Sequence, residues 1–384
     1  MTLCEANSAM GQDSGKYGWG DIGIPRQQPK GDKVSKDHPR GRGAADNPGN
    51  RYHAHETRRF DDGWETQPAP DLITRVGIDR SRKAISYNNS PDIPFDRSIN
   101  PYRGCEHGCI YCYARPTHAW LDLSPGLDFE SRLFARPDLP QRLMEELAAP
   151  AYRPAPLALG AITDAYQPIE RERQITRQVL TILTETRHPT LIVTKSALVE
   201  RDIDLLVDLA GDNLVEVAIS LTTLQRPLAR TLEPRAAAPQ RRLKIIETLS
   251  KAGIPVRTMI APIIPVLTEP EIETLLQAAF DAGARSATYV LLRLPLEVAP
   301  LFRDWLDRHH PNAARRVMNH VQETRRGRDN DSRFGHRLTG SGSYADLIAQ
   351  RFALRSRKLG FGPGQRLSCD HFVAPSPDGQ LNLF

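Results

Sequence analysis

The stretch Ser98-Ile99-Asn100-Pro101-Tyr102-Arg103-Gly104-Cys105-Glu106-His107-Gly108-Cys109-Ile110-Tyr111-Cys112-Tyr113-Ala114-Arg115 decides how the chain of 384 residues is read. It carries three of the five cysteines, Cys105, Cys109 and Cys112, in the spacing C-x3-C-x2-C. Gly104 and Gly108 stand beside them and let the backbone turn tightly. A loop of this kind aims three thiolates at one point, a donor set that suits zinc or an iron–sulfur cluster. Structural zinc needs four protein ligands, and only Cys369 or a histidine such as His107 is available to complete the set. A cubane held by three cysteines instead leaves one iron open to a substrate or cofactor.

Working outward, short apolar runs alternate with amphipathic segments. Ser98–Tyr102 reads as a first strand, Leu157–Thr163 as a second and Leu191–Thr194 as a third, followed by Val215–Leu221, Pro255–Ile260 and Ala287–Leu292. Helices are expected over Leu139–Ala148, Arg171–Arg187, Glu200–Leu209, Pro239–Ala252 and Pro270–Ala282, with Gly253 and Gly283 as stops. Six strands alternating with helices predict an α/β fold with a parallel sheet and right-handed crossovers. Neither G-x-G-x-x-G nor G-x4-G-K-[ST] occurs in a strand-turn-helix context, which argues against a dinucleotide or P-loop site.

The flanks differ. Residues 1–70 are polar and basic with few aliphatic clusters, so a disordered tail is expected, its run Lys30–Arg42 a solubilising segment or a dock for phosphates. Residues 71–296 form the predicted barrel domain, with an edge strand or strap before Asp96. From Glu297 the pattern turns to helices, Ala299–His309, Ala313–Thr324 and Ser343–Leu359, a helical extension over 297–373 expected either to cover the open side of the barrel or to serve packing alone; 374–384 reads as frayed. A net charge of +5, from 51 basic and 46 acidic residues, permits an acidic partner such as nucleic acid without demanding one. Closely spaced unpaired thiols, no signal-like start and no apolar run of membrane-spanning length predict a soluble, cytoplasmic protein without membrane contact.

The motif C-x3-C-x-Tyr-C, with Tyr111 as its aromatic, resembles the cluster loop of the radical S-adenosylmethionine (SAM) enzymes. Tyr111-Cys112-Tyr113 together with Thr163-Asp164-Ala165-Tyr166-Gln167-Pro168 resembles the branch related to spore photoproduct lyase. The resemblance implies a partial (β/α)6 barrel of the TIM type with its site at the C-terminal strand ends. It further implies a [4Fe-4S] cluster on Cys105, Cys109 and Cys112, SAM chelated at the open iron, and one-electron cleavage to a 5′-deoxyadenosyl radical that abstracts hydrogen. A reducing donor such as flavodoxin or ferredoxin follows from that chemistry, with nucleic acid among the admissible substrates.

By the same resemblance, Tyr111 packs beside the adenine, and Thr163, Lys195 and Ser220 at strand ends hold the methionyl and ribose groups. Lys195 supplies an ammonium for the carboxylate. Asp164 stands where many members carry a Gly-Gly-Glu stretch for the SAM amino group. Arg235, in Glu233-Pro234-Arg235, reaches the SAM carboxylate or a substrate anion, or else pairs with Glu233. Tyr111 and Tyr113 match the lyase's paired tyrosines and so a catalytic radical relay. The donor cysteine that precedes the lyase's Thr-Asp element has no counterpart in Gly160-Ala161-Ile162-Thr163-Asp164. Tyr166 and Gln167 are expected to face the substrate, and Arg293, in Leu292-Arg293-Leu294-Pro295, to point at the barrel mouth. The rival reading is a non-catalytic nucleic-acid-binding protein with a structural metal.

Overall fold

The computed structural model describes residues 39–52, 72–80 and 82–375. Its first half holds β1 (Arg75–Ile78), β2 (Ser86–Tyr87), β3 (Arg97–Ile99), β4 (Tyr102–Arg103), α1 (Leu127–Ser131), β5 (Arg132–Ala135) and α2 (Leu139–Leu147). Strands and helices then alternate as β6 (Leu157–Leu159), α3 (Glu170–Arg173), α4 (Ile175–Glu185), β7 (Thr190–Thr194), α5 (Ile203–Gly211), β8 (Val215–Ser220), α6 (Arg226–Leu232) and α7 (Pro239–Lys251). The series closes with β9 (Val256–Ile263), α8 (Ile272–Asp281), β10 (Ser286–Leu291), α9 (Val298–His309), α10 (Pro311–Glu323) and α11 (Ser343–Leu359).

The main sheet has the order β10-β9-β8-β7-β6-β3-β2. Its six strands from β3 to β10 are parallel and β2 is an antiparallel edge. Consecutive parallel strands joined through helices make a partial (β/α)6 barrel, open because the two edges do not pair. Side-chain alternation sets the two faces. Val215, Val217 and Ile219 of β8 join the core under the helices. The register Val193–Ala218–Arg257 and Ser220–Met259 turns the intervening residues to the concave face, where small or half-buried side chains leave room.

Several predicted boundaries move for local reasons. The first strand leaves the sheet at Asn100-Pro101, and Tyr102–Arg103 pairs with β5 in a separate sheet of order β1-β5-β4. The second strand stops at Leu159, because Gly160 has φ +82° and a Cβ there would lie 2.9 Å from the Val193 carbonyl. The predicted helix Arg171–Arg187 breaks at Gln174, where φ is +52° and the Glu170 carboxylate accepts from Thr176 N at 2.9 Å. The helix predicted from Glu200 begins as a 3-10 turn, Ala197–Asp202, capped by Ser196 Oγ.

The division at residue 296 also changes. Ala345, Ile348 and Phe352 of α11 belong to the barrel core, and Phe352 lies 4.8 Å from the Tyr289 ring on β10. α11 is therefore the sixth barrel helix, and α9 with α10 is an insertion before it. That insertion bridges β10 to the cysteine loop instead of lying over the open side: Val298, Phe302, Trp305 and Val317 pack with Ile110, Leu232 and Leu292. Beyond α11 the chain crosses the N-terminal strand ends. Gly362 bridges to Ser286, Gln365 N donates to Glu216 Oε1 at 3.1 Å, Ser368 N to Asn213 O at 3.0 Å and Val373 N to Thr186 O at 2.9 Å. This strap closes the barrel floor, leaving the C-terminal strand ends as the mouth. Among the described residues no helix is long and apolar enough to cross a membrane.

Candidate active site

The cysteine loop hangs between β4 and a 3-10 helix, Arg115–Leu121. Its backbone is pinned from outside and within: Cys105 N donates to Phe129 O at 2.9 Å, Ile110 N to Leu232 O at 3.0 Å and Cys112 N to Cys109 O at 3.1 Å. Gly108 adopts φ +64° and has no room for a side chain, since a Cβ would fall 2.6 Å from Glu130 Oε2. Beneath the loop Arg115 is fully buried, donating to the carbonyls of Cys109, Gly108, Pro125 and Gly126 and to Glu130 Oε1. Glu130 in turn accepts from Gly43 N at 2.8 Å and Ala44 N at 2.9 Å.

Those two donors correct the expected tail. Most of residues 1–70 lies outside the described residues, but 39–52 is built into the fold: Arg42 donates to Glu130 O at 2.6 Å and to Thr74 Oγ1 at 2.9 Å. A lone carboxylate buried behind the loop draws amide and guanidinium donors to itself, and the polar composition of this segment hid that role.

Cys105 and Cys109 are buried and Cys112 is half-buried. Burial first, then Asp164 and the two neighbouring thiols, raises the Cys105 pKa; burial pushes Cys109 up to about 12 against the opposing pull of Lys195. Such thiols stay protonated unless a cation takes the proton's place, which is what thiolate-ligated iron provides. Among the described residues no group of three or more His, Cys, Asp or Glu is arranged around a single metal ion. A single ion needs its ligands gathered at one centre, whereas a cubane takes one thiolate per iron and holds them wider apart. The three thiols lie near enough to raise one another's pKa, a donor set of the kind that takes one iron each. Cys369 lies in the floor strap beside Arg97, the first residue of β3, at the other end of the barrel.

Asp164 sits behind the mouth as a buried acceptor. It takes Thr194 Oγ1 at 2.7 Å, Lys195 N at 2.8 Å and Tyr166 N at 2.9 Å, and stands 3.3 Å from His107 Nδ1. Burial would raise its pKa, but His107 and these donors outweigh that and hold it at about 2. Asp164 thus ties the cysteine loop, through His107, to the end of β7. Thr163 spends its hydroxyl on Tyr102 O at 2.7 Å. Tyr166 is buried in the core and Gln167 holds Gly104 O and Glu106 N, so neither faces the mouth as expected from sequence.

Lys195 extends from the end of β7 with its ammonium 5.9 Å from the Tyr111 ring centroid. Among the described residues its ammonium has no hydrogen bond or ion pair, although Cys109 and Glu233 lie near enough to raise its pKa against the desolvation that lowers it. The Tyr111 hydroxyl is buried on Glu233, which also receives Thr222 Oγ1 at 2.8 Å and the Arg242 guanidinium. Burial alone would raise Glu233; Arg242 and then Lys195 hold it at about 2. Arg242 pins the end of β8 through Ser220 O at 3.1 Å, leaving the Ser220 hydroxyl on the concave face. Arg235 does not pair with Glu233: it reaches Glu106 at 2.8 Å and Gly41 O at 3.2 Å, so that position braces the outer side of the loop. Tyr113 is 43% exposed, donates to Ala161 O and carries the Arg293 guanidinium 4.6 Å above its ring.

Sequence reasoning missed the Arg115–Glu130 clamp and the Glu233–Arg242 pair. Charged residues are nearly always read as solvated, and only burial reveals these four as internal braces.

Residues 99–279 match the radical SAM superfamily. An uncharacterised protein of Mycobacterium tuberculosis is 36% identical over 263 residues, covering 64% of this chain and 77% of that one. An uncharacterised protein of Methanocaldococcus jannaschii is 27% identical over 240 residues, covering 62% and 85%. Among solved structures, a spore photoproduct lyase mutant with bound AdoMet and dinucleoside spore photoproduct superposes with TM-score 0.52 at 17% identity, covering 76% of this chain and 82% of that one. The lyase likeness is one of fold; the superfamily match, the relative at 36% identity and the cysteine loop at the mouth of a partial barrel together place this chain in the radical SAM superfamily.

Proposed function

We propose that this protein is a radical SAM enzyme, holding a [4Fe-4S] cluster on Cys105, Cys109 and Cys112 and cleaving SAM reductively to start hydrogen abstraction from its substrate. The observation that carries the reading is the meeting of three thiols, two buried and one half-buried, with an unpaired ammonium, Lys195, at the barrel mouth. When bound, the cluster supplies one electron to the sulfonium of SAM, itself re-reduced by a low-potential donor of the flavodoxin or ferredoxin kind.

The chain's own residues do the holding. Lys195 offers its charge to the methionyl carboxylate, where little water competes. Ser220 presents a free hydroxyl to the ribose or amino group. Asp164 is a positioning residue, because its oxygens are consumed by His107, Thr194 and the Lys195 amide. Glu233 and Arg242 fix the Tyr111 ring as one wall. Tyr113, half-exposed at the mouth, is the tyrosine placed to meet a substrate radical.

The test is anaerobic reconstitution with iron and sulfide, followed by analysis for 5′-deoxyadenosine after chemical reduction with SAM. Labile sulfide matching iron, lost on Cys105→Ala, Cys109→Ala or Cys112→Ala and retained on Cys369→Ala, supports the reading. Stoichiometric zinc without labile sulfide refutes it.

A further inference from the structure

We infer that the substrate carries a phosphate group and that Arg293 binds it; this rests on the radical SAM reading and names the substrate class for the same mouth. Arg293 follows the sixth strand, with its guanidinium stacked 4.6 Å from the Tyr113 ring centroid, one residue from the ligand Cys112. It is half-buried, and among the described residues it has no hydrogen bond or ion pair. A guanidinium held in place by an aromatic ring with its five donors unspent is preorganised for an oxyanion.

Its surroundings add positive charge. Arg325 is fully buried and donates only to carbonyls, those of Leu291, Leu292, His336 and Arg337, without a carboxylate partner. Arg337 is matched by Asp92 at 2.6 Å. Asp92, paired with Arg337, also faces Arg293, and Asp331, paired with Arg333, also faces Arg325, so four guanidinium groups meet two carboxylates at this side of the mouth, an excess of two positive charges. A single carboxylate balances one of them, and a phosphate dianion balances both. Lys195 stands at the end of a different strand, so a cofactor carboxylate and a substrate phosphate have separate cations.

The experiment is phenylglyoxal modification of the reconstituted, SAM-saturated protein, with rates at individual arginines mapped by mass spectrometry. Arg315, exposed on α10 and unpaired among the described residues, serves as the internal control. Inorganic phosphate well above its Kd should slow modification of Arg293 roughly tenfold and leave Arg315 unchanged, while acetate at the same concentration should protect little. Protection of Arg293 by SAM alone would make it a cofactor residue and overturn the inference. Equal protection by acetate would overturn the phosphate assignment, and equal rates at both arginines with and without phosphate would remove Arg293 from substrate binding. Iron content and SAM affinity are recorded on the same preparation. A protein without them refutes the radical SAM reading, whereas a SAM-binding protein without phosphate protection refutes only the role of Arg293. As a second measurement, the phosphate-induced rise in melting temperature should disappear in Arg293→Gln.

Discussion

Replacing Arg115, beneath the cysteine loop, with Met should be among the most damaging single changes in the chain. The methionine keeps much of the aliphatic stem but strands Glu130, which is fully buried and keeps only the amides of Gly43 and Ala44. Removing one member of a buried ion pair costs about 3 to 5 kcal/mol. The carbonyls of Gly108, Cys109, Pro125 and Gly126 also lose their donor, so the upper half of that range is expected. With an unfolding entropy of about 2.1 cal/mol/K per residue over a barrel of this size, the loss corresponds to a fall in Tm of roughly 5 to 7 °C. Urea and thermal unfolding of the metal-free variant measure it, and iron content after reconstitution reports whether the loop still gathers its thiols. The double variant Arg115→Met with Glu130→Met tests the cause, because removing the stranded charge should recover part of the loss. A cost below about 1 kcal/mol for Arg115→Met, or a double variant as unstable as the sum of the singles, would refute the stranded-charge argument.

Lys195→Ala should weaken SAM binding roughly tenfold to a hundredfold, the loss of a charged hydrogen bond of about 1.5 to 3 kcal/mol, with iron content intact and Lys358→Ala on α11 as control; equal affinity in both variants would remove Lys195 from the site. Truncation through residue 52 should be less stable than truncation through residue 38 by about 2 to 4 kcal/mol, because it deletes the Gly43 and Ala44 amides and Arg42 from Glu130; comparing the two by urea unfolding checks this. His118 and His188 are buried neutral, with pKa lowered by burial from 6.5 to about 4. An unfolded chain takes up their protons first as pH falls. Their contribution is therefore complete above 6.5 and is lost as pH falls from 6.5 toward 4, at about 2 kcal/mol per histidine near pH 5. His188→Gln should flatten that part of the pH-stability profile, and an unchanged slope would refute the assignment.

The strand–helix alternation was legible because each strand face toward the helices is a run of Val, Ile and Leu, and Gly253 and Gly283 mark their turns. The cysteine spacing was legible because it is local. What could not be read depends on contacts between segments far apart in sequence. Ser343–Leu359 looks like any amphipathic helix, and only the Tyr289–Phe352 contact makes it the sixth helix of the barrel. Arg235 and Arg242 are alike on paper, yet one turns out to Glu106 and the other inward to Glu233. Tyr166 carries a polar tip and follows a motif residue, but the turn after Gly160 directs it into the core.

The clamp under the cysteine loop has a consequence for the order in which the molecule is made. All its parts, Arg42 to Ala44, Gly108 to Arg115 and Glu130, have been synthesised by residue 130, about a third of the way along the chain. The sixth barrel helix and the floor strap arrive only after residue 343. A nascent chain therefore holds every part of the clamp while the barrel around the loop is unfinished, and the later Leu232 carbonyl adds the remaining pin at Ile110 N. The insertion α9–α10, placed before the last barrel helix, lengthens that interval.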